Sequence, residues 1–344
     1  MDSDKHKRVR RALLAWYGRT RRDLPWRRTR DPYAIWIAET MLQQTQVKTV
    51  LPYYRRFLRA FPSVAALDRA RREDVLALWS GLGYYRRAIN LKAAARTIVR
   101  EYQGHMPRDF RALRALPGIG DYTAGALMSI AFDAPYPALD GNARRVLARL
   151  FNARTENNLR QNAARLAAAP RPGDFNQALM DLGATVCLPR EPRCSKCPVA
   201  SCCGARKSGR TRLRGRRAKP VTRNIDWPLA LVENTGKILL RRRPAGGILP
   251  GLWEIPGGER KKNETLRAAL RRHLNGAGKL IKPQSLMAVI RHTITNRKIR
   301  APVYLCTGTA RPRGPRWRWV RVSSLGRHPL SSLSLKAARL LARP

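Results

Sequence analysis

Acidic residues are scarce in this chain of 344 residues, which has 22 Asp and Glu against 70 Lys and Arg and a formal net charge of +48. Such an excess of positive charge favours a polyanionic partner, of which DNA and RNA are the commonest. A host that overuses arginine is an alternative, but it explains arginine in place of lysine and not the shortage of carboxylates. An anionic membrane surface is a third possibility.

Long apolar runs are also absent. No segment approaches the roughly 20 apolar residues that a membrane-spanning helix needs. The first residues, MDSDKHKRVRRALLAWYGRT, lack the long apolar core and the small-residue cleavage site of a secretion signal. These absences predict an intracellular, reducing compartment and no membrane partner. The bacterial cytoplasm is the expected location, although the sequence does not separate it from an organelle. In that reducing compartment, the 6 cysteines are expected to be metal ligands or buried thiols and not disulfides.

The chain is long enough for two domains, and its apolar content of 44% is typical of folded ones. Residues 1–203 carry apolar side chains at helical spacing, interrupted by proline and glycine, which predicts an all-helical domain. Residues 204–224 are rich in Arg and Lys and predict an exposed linker that lies on phosphates. In residues 225–344 the apolar period changes to two, which predicts a separate α+β domain.

The helical region ends in a group of closely spaced cysteines, namely Cys187, Cys194, Cys197 and Cys203. Four thiolates in one short loop can surround a [4Fe–4S] cubane, which takes one thiolate per iron. Zinc is the alternative, but structural zinc sites usually contain two close pairs, and only Cys194 with Cys197 is such a pair. Cys202 makes the fourth ligand ambiguous, and Cys306 is predicted to be a buried thiol in the second domain.

The segment LPGIG, residues 116–120, precedes the helical sequence DYTAGALMSIAF and predicts a helix–hairpin–helix. Gly118 and Gly120 allow a tight turn and a close approach of backbone N–H groups to a DNA phosphate. An ordinary connection between helices is the alternative. The cysteine loop and the net charge favour phosphate binding.

Two carboxylates lie in surroundings that favour different protonation states. Glu39, within YAIWIAETMLQQTQV, has apolar neighbours at helical spacing, and burial there would raise its pKa and keep a proton for general acid catalysis. Asp140, within PALDGNARRVLARL, precedes a helix, so it can accept backbone N–H bonds and stay ionised. Their pKa values would be pushed apart. One group would then donate a proton while the other faces a developing oxocarbenium ion, as in glycosidases. A surface Glu and a simple helix cap are the ordinary alternatives.

The cysteine spacing after a helical domain is similar to that of the endonuclease III superfamily of DNA glycosylases. Further segments resemble the MutY family of adenine DNA glycosylases within it: LPWRRTRDPYAIWIAETMLQQTQV, GLGYYRRAINL, LPGIGDYTAGAL, LDGNARRVLAR and NQALMDLGATVC. They cover most of residues 22–203. The resemblance implies a monomer that flips out and removes adenine paired with 8-oxoguanine, or with guanine, in double-stranded DNA. It also implies one [4Fe–4S] cluster that braces a basic loop against DNA.

The resemblance implies roles for the catalytic positions. Glu39 would protonate adenine N7, and Asp140 would stabilise or capture the sugar cation with Asn142 as its helper. Tyr122 occupies the position at which strand-cleaving members of the superfamily carry a lysine that forms a Schiff base. A monofunctional glycosylase is therefore implied, in which Tyr122 either hydrogen-bonds near the catalytic carboxylate or fills space.

Three other functions compete with this hypothesis. Thymine glycosylases that act on T:G mismatches can also have tyrosine at position 122, but they would not need Glu39. A glycosylase-lyase of the endonuclease III type is disfavoured by Tyr122 and by the second domain. An iron–sulfur DNA-binding protein without chemistry is disfavoured by the presence of both Glu39 and Asp140.

Other matched positions imply two recognition surfaces. The wall of the adenine pocket is assigned to Leu24, Trp26 and Arg27, with Asp181 as a further contact to the flipped base. Recognition of 8-oxoguanine is assigned to hydrogen bonds from Gln44 and Thr45 and to a wedge formed by Leu82 and Tyr84. Glycines flank Leu82, which favours an exposed loop tip over the alternative of a core position.

The second domain resembles the 8-oxoguanine-sensing domain of the same family, and Nudix hydrolases, through LPGLWEIPGGERKKNETLRAALRRHL. A working Nudix hydrolase needs a glutamate cluster for Mg²⁺, but residues 272–276 are RHLNG, so no pyrophosphatase activity is predicted. The family's Phe-Ser-His loop is replaced by Ile294-Thr295-Asn296. Thr295 keeps a hydroxyl for 8-oxoguanine, whereas Asn296 replaces an imidazole, so initial recognition is expected to differ.

Overall fold

The computed structural model describes residues 2–168, 170–211, 221–244, 246, 249–277, 282–294, 296–307 and 314–342. Thr295 therefore lies outside the described residues. The chain forms two compact units, the first from Met1–Arg69 and Asn90–Arg216 and the second from Ala70–Ile89 and Arg217–Pro344. The domain boundaries given above stay predictions, and the grouping of Ala70–Ile89 with the second unit has no counterpart in them. Within the described part of the chain, no helix is long and apolar enough to cross a membrane.

The described residues from 2 to 211 contain helices and no strand, as the sequence predicts. The helices are α1 (Asp2–Thr20), α2 (Pro32–Leu42), α3 (Val47–Ala60), α4 (Val64–Arg69), α5 (Arg72–Trp79), α6 (Arg86–Tyr102), α7 (Phe110–Ala115), α8 (Asp121–Ile130), α9 (Gly141–Phe151), α10 (Glu156–Ala167), α11 (Pro172–Thr185) and α12 (Gly204–Lys207). Short 3-10 turns occur at Pro25–Arg27, Cys194–Lys196 and Ala200–Cys202.

Helix α2 lies inside the first unit and carries Glu39 with it. The helix begins where the Asp31 carboxylate accepts the backbone N–H groups of Tyr33 and Ala34, and Pro32 occupies its first turn. Every residue from 33 to 41 is buried, because α2 packs against both α3 and α8. A carboxyl group on such a helix loses most of its contact with water.

Helices α9 and α11 pack closely in the first unit because a glycine lies at their contact. A Cβ atom on Gly183 of α11 would come within 2.6 Å of the Asn142 Cβ on α9. Any larger residue at position 183 would push α11 away from the start of α9. The glycine therefore fixes the position of the loop and helix start that hold Asp140 and Asn142.

The second unit contains a mixed sheet, which fits the predicted α+β class. Its elements are β1 (Arg223–Asp226), β2 (Leu229–Asn234), β3 (Lys237–Arg242), β4 (Trp253–Glu254), α13 (Leu266–His273), β5 (Lys282–Ile294), β6 (Arg297–Thr307), β7 (Trp317–Arg321) and α14 (Ser332–Ala338). The strand order is β1-β6-β2-β3-β4, with β5 antiparallel to β6 and β7 antiparallel to β3. Strands β1 and β2 run parallel to β6. Strands β2 and β3 form a hairpin in which Glu233 pairs with Ile238 in an antiparallel register.

Apolar residues are buried on both faces of this sheet. On one face, Leu270 and Leu274 at α13 pack with side chains of β2 and β3. On the other face, Leu333 and Ala337 of α14 pack with the larger cluster that includes Trp253. Because both faces are covered, β2 and β3 contain runs of buried residues, Leu229–Val232 and Ile238–Leu240, and not the alternation that a period of two predicts.

The start of the predicted linker is folded, which corrects the expectation of an exposed segment from residue 204. Helix α12 packs against α9, and its Ala205 is 1% exposed. Strand β1 begins at Arg223, within the last two residues of the predicted linker. Few large apolar residues made the segment look exposed, but one small buried alanine is enough to hold a single helical turn.

Candidate functional site

A cavity of about 1000 Å³ opens in the first unit between α2, α8 and the start of α9. It brings together predicted residues from distant parts of the chain, namely Leu24, Trp26, Arg27, Glu39, Gln44, Thr45, Gly120, Tyr122, Asp140 and Asn142. Glu39 and Tyr122 are 83 positions apart in the sequence, yet they share a hydrogen bond. The cavity is therefore the candidate active site.

Glu39 is held at the wall of the cavity with only 5% of its surface exposed. The Tyr122 hydroxyl donates a 2.5 Å hydrogen bond to its Oε2. Burial, with a smaller contribution from the negative charge of Asp140, raises the pKa of Glu39 to about 7, although the Tyr122 hydroxyl and Arg27 oppose this shift. A large fraction of Glu39 therefore carries a proton at neutral pH, as the sequence predicts for a general acid.

Asp140 caps α9, as predicted from the sequence. Its Oδ1 accepts the backbone N–H of Ala143 at 2.6 Å, and its Oδ2 accepts the side-chain amide of Asn142 at 3.0 Å. Burial nevertheless raises the pKa of Asp140, because it outweighs these hydrogen bonds and the charge of Arg145. The expectation that the two pKa values are pushed apart considered only the hydrogen bonds, whereas burial acts on both carboxyl groups.

Tyr122 hydrogen-bonds to the candidate acid, which decides between the two roles left open by the sequence. Its hydroxyl also lies 3.8 Å from the Met180 sulfur. Burial and the neighbouring carboxylates Glu39 and Asp140 raise the pKa of Tyr122 well above its usual value. The phenol therefore stays protonated and can donate to Glu39.

Arg145 connects this site to the cysteine loop and was missed in the sequence. Its Nη2 donates to Asn142 Oδ1 at 2.8 Å and to the Gly183 carbonyl at 2.6 Å, while its Nε donates to the Cys187 carbonyl at 2.9 Å. A chain of contacts thus runs from Asp140 to the first cysteine. The signal that could have revealed Arg145 is its position three residues after Asn142, on the same face of α9.

Asp181 contacts two arginines of the pocket wall. Its two oxygens accept Arg27 at 2.7 and 2.9 Å, and Arg22 donates to Oδ1 at 2.8 Å. Burial alone would raise the pKa of Asp181, but hydrogen bonds and charges of Arg27 and Arg22 outweigh it and lower the pKa. The contact of Asp181 with a flipped base stays a prediction, while the structure shows that it orients Arg27. Arg22, which also lines the cavity, was not predicted from the sequence.

Leu24 and Trp26, which were predicted for the wall of the adenine pocket, form an apolar part of the cavity. Leu24 and Trp26 are 6% and 5% exposed, and the Trp26 ring meets Tyr54 edge-on at 5.2 Å between centroids. Further side chains at the cavity were not predicted, namely Gln43, Gln46, Lys48, Gln177 and Met180. Lys48 matters most among them, because it places an amine in the candidate active site.

The residues predicted to recognise 8-oxoguanine fall in both units. Gln44 and Thr45 line the cavity, and Gln44 adopts a left-handed backbone with φ of +58°. Leu82 and Tyr84 lie in the second unit, where Tyr84 is 48% exposed. Leu82 is only 6% exposed, which corrects the expectation of an exposed tip at that residue. Flanking glycines allow a turn but do not decide which way its side chains point.

The predicted helix–hairpin–helix is formed by α7, a tight turn and α8. Gly118 requires its small size, because its φ is +82° and a Cβ would lie 2.7 Å from the Asn90 Cβ. Gly120 precedes α8 with φ of −100°, and a Cβ there would meet no atom within 4 Å. The backbone at Gly120 is therefore open to a phosphate, although its conformation does not demand glycine.

The four predicted ligand cysteines line one small cavity next to α9. Cys187, Cys194, Cys197 and Cys203 all contribute to its wall, whereas Cys202 does not. Arg149 is 3% exposed and donates to Cys187 Sγ at 3.2 Å and to the Leu188 and Pro189 carbonyls at 2.7 and 2.8 Å. Among the described residues, no group of three or more His, Cys, Asp or Glu side chains is arranged to hold a metal ion. Cysteines around a shared cavity, with a guanidinium beside one sulfur, fit a multi-atom cluster with thiolate ligands.

Comparison with known proteins identifies relatives of both units. Residues 37–169 match the model of the HhH-GPD superfamily base excision DNA repair protein, and residues 229–339 match that of the NUDIX domain. The chain is 37% identical to the adenine DNA glycosylase of Mus musculus, over 89% of this chain and 72% of that protein. It is 36% identical to the adenine DNA glycosylase of Homo sapiens, over 90% of this chain and 69% of that protein.

A solved structure supports the fold of the first unit. A thermostable thymine-DNA glycosylase superposes with a TM-score of 0.56 and 32% identity, and covers 60% of this chain and 98% of its own. Together with the two matched families, this similarity confirms a helical glycosylase domain followed by a Nudix-like domain that contains a sheet.

Proposed function

Since the chain belongs to the adenine DNA glycosylase family of base excision repair, we propose that it hydrolyses the N-glycosidic bond of adenine paired with 8-oxoguanine or guanine. The observation that carries the proposal is the buried Glu39 with a pKa of about 7, bonded to Tyr122 in a cavity that also holds Asp140. A protonated acid and a second carboxyl group in one pocket suit a reaction through a sugar cation.

The reaction proceeds by proton transfer and bond cleavage. Protonated Glu39 gives its proton to N7 of the flipped adenine, the C1′–N9 bond breaks, and its electron pair leaves with the base. Ionised Asp140 stabilises the positive charge that develops at C1′. Water then adds to C1′ and returns a proton to Glu39, so the enzyme is restored and the products are free adenine and an abasic site.

The pocket receives the base after it leaves the duplex. Adenine inside a duplex is out of reach, so it must be flipped out before Glu39 can contact it. Trp26 and Leu24 offer apolar surface for the base, while Arg27, fixed by Asp181, supplies a donor at the wall.

The protein acts as a monomer on DNA in the cytoplasm.

The proposed function includes one cluster held by the cysteine loop. Cys187, Cys194, Cys197 and Cys203 would hold one [4Fe–4S] cluster, with Arg149 next to the first sulfur. When bound, the cluster supplies a rigid centre for its loop and no chemistry at the adenine. Cys202 takes no part, because its side chain lies outside the shared cavity.

The second unit serves recognition and not hydrolysis. Glu264 is bonded to Arg272 at 2.7 and 2.8 Å, and its pKa is lowered to about 2 by these hydrogen bonds. His273 stands in the segment where a Nudix hydrolase has glutamates, and burial, together with the charge of Arg241, lowers its pKa to about 4. One paired carboxylate and a neutral imidazole make a poor Mg²⁺ site, which supports a sensing role.

Adenine release without strand cleavage is the expected result on a duplex with one 8-oxoguanine:adenine pair. Tyr122 cannot form a Schiff base, so strand breaks should appear only after alkali treatment of single-turnover samples. Strand breaks of equal yield without alkali would contradict a monofunctional enzyme. The variant Lys48→Met is the matched control, because it removes the amine that lines the cavity. Thymine release from a T:G duplex would instead favour the thymine glycosylase alternative.

The pH dependence of kcat/KM is expected to show an alkaline limb near pH 7, because Glu39 acts in its protonated form and its pKa is about 7. The Tyr122 hydroxyl lowers this pKa by bonding to the carboxylate. Tyr122→Phe should therefore raise the pKa and move the limb to higher pH. Tyr33→Phe, which removes a buried hydroxyl bonded to the Phe61 carbonyl, should leave the limb in place. An unmoved limb in Tyr122→Phe would show that another group controls it.

A further inference from the structure

The loop from Gly81 to Tyr84 has three residues with positive φ, a backbone conformation that other contacts must stabilise. Gly81, Gly83 and Tyr84 have φ values of +94°, +81° and +49°. A left-handed conformation is costly for tyrosine, so it persists only where surrounding contacts impose it. Tyr84 is also the large side chain that this loop exposes, at 48%. The contacts that fix the loop therefore decide where the Tyr84 ring stands.

Two hydroxyl groups on either side of this loop converge on one carbonyl oxygen. Ser80 Oγ and Tyr85 Oη each donate a 2.8 Å hydrogen bond to the backbone carbonyl of Leu330. The Tyr85 hydroxyl also accepts the backbone N–H of Gly81 at 3.1 Å, which closes the loop on itself. A carbonyl oxygen has two lone pairs, so it can accept both donors at once.

The acceptor belongs to a rigid part of the second unit. Leu330 is 1% exposed and forms an isolated β-bridge with Trp253 of β4. The backbone N–H of Trp253 donates a 2.8 Å hydrogen bond to the Pro329 carbonyl. Ser331 returns a 3.2 Å hydrogen bond to the Trp253 carbonyl. The Leu330 carbonyl is therefore fixed by the same sheet that forms the core of the second unit.

The middle of the loop is held separately by its neighbours in sequence. The Trp79 indole N–H and Arg87 Nη2 donate to the Gly83 carbonyl at 3.0 and 3.2 Å. The Arg87 guanidinium also stacks 5.2 Å from the centroid of the Tyr84 ring. These local contacts shape the turn, whereas Ser80 and Tyr85 connect it to Leu330.

We propose that Ser80 and Tyr85 are positioning residues that set the preference for 8-oxoguanine over guanine opposite adenine. Their hydrogen bonds to the Leu330 carbonyl hold in place the loop in which Tyr84 lies. The inference rests on the proposed function, since it requires that Tyr84 contacts the lesion strand. Both side chains act through the loop, and neither is among the residues that line the cavity of the first unit.

The variant Ser80→Ala/Tyr85→Phe tests the proposal, because it removes both donors and little volume. Excision rates on 8-oxoguanine:adenine and guanine:adenine duplexes are measured under single-turnover conditions, and their ratio is compared with that of the unmodified protein. The ratio is expected to fall at least about fivefold, the size of a lost hydrogen-bond network. General destabilisation lowers the amount of active enzyme for both duplexes and leaves the ratio unchanged.

Single variants keep the experiment decisive if the double variant folds poorly. Ser80→Ala and Tyr85→Phe each leave one donor on the Leu330 carbonyl. The decrease in the logarithm of the ratio in each single variant should therefore be less than half of the decrease in the double variant. Ser80→Thr, which keeps a hydroxyl, should restore the ratio. Tyr33→Phe is the matched control, because it removes a tyrosine bond to the Phe61 carbonyl of the same 2.8 Å length.

The outcomes separate the two proposals. If the unmodified protein shows no preference for 8-oxoguanine over guanine, both the proposed lesion specificity and this inference are wrong. A clear preference that survives in the double variant, or in both single variants if the double variant does not fold, overturns the inference alone. An equal loss of ratio in Tyr33→Phe would also overturn it, because the effect would then be unspecific.

Discussion

Glu39→Gln is expected to lower the single-turnover rate of adenine release by about 10²- to 10⁴-fold, the usual contribution of a positioned general acid. Glutamine has nearly the same shape and can still accept the hydrogen bond from Tyr122, which measures 2.5 Å in the structure. It has no acidic proton to give to the base. The loss should therefore fall on the chemical step and not on the fold.

The measurement pairs excision with duplex binding. Glu39→Gln should bind an 8-oxoguanine:adenine duplex at least as tightly as the unmodified protein, because removing a partly charged carboxylate lowers repulsion from phosphates. Gln177→Ala is the matched control, since Gln177 lines the same cavity and has no titratable group. Activity above a few per cent in Glu39→Gln, at unchanged binding, would remove Glu39 as the acid.

The parts of the site that could be predicted from sequence are those that local rules determine. The apolar neighbours of Glu39 recur at helical spacing, and the structure buries α2 throughout residues 33–41. Asp140 is followed by a helix and caps it. Gly118 stands where the backbone needs φ of +82°. Each of these features depends on a few adjacent residues, so the local sequence pattern is enough to predict it.

The parts that could not be predicted depend on contacts between distant segments. Arg22 and Arg27 meet Asp181 across more than 150 positions of sequence, and no local pattern announces that pairing. The pKa of Asp140 is another case, because hydrogen bonds lower it and burial raises it, and only the packed structure shows that burial is larger. Leu82 lies between glycines, which favoured an exposed tip, yet it is only 6% exposed in the folded chain.

The active site also differs from a pair of independent carboxyl groups. The negative charge of Asp140 helps to raise the pKa of Glu39, so the two groups titrate as a coupled pair. Such coupling suits the reaction, because an ionised Asp140 favours a protonated Glu39. Any change at Asp140 must therefore affect the acid as well as the developing cation.

Asp140→Asn is expected to lower the rate of adenine release by about 10²- to 10³-fold, because the developing sugar cation loses its counter-charge. Asparagine also caps helices well, so the bond from the Ala143 N–H, 2.6 Å in the structure, should survive. The second expected effect concerns Glu39. Loss of the Asp140 charge should lower the pKa of Glu39 and move the alkaline limb of kcat/KM to lower pH, opposite to the shift in Tyr122→Phe.

Asp109→Asn provides the matched control for Asp140→Asn. Asp109 caps α7 by accepting the Ala112 N–H at 2.8 Å, and it is not among the residues that line the cavity. The two variants thus make the same chemical change at the same kind of helix start. Comparable losses in both would assign the effect to helix capping. A loss confined to Asp140→Asn, together with a limb at lower pH, would show that its negative charge acts both on the sugar cation and on the proton of Glu39.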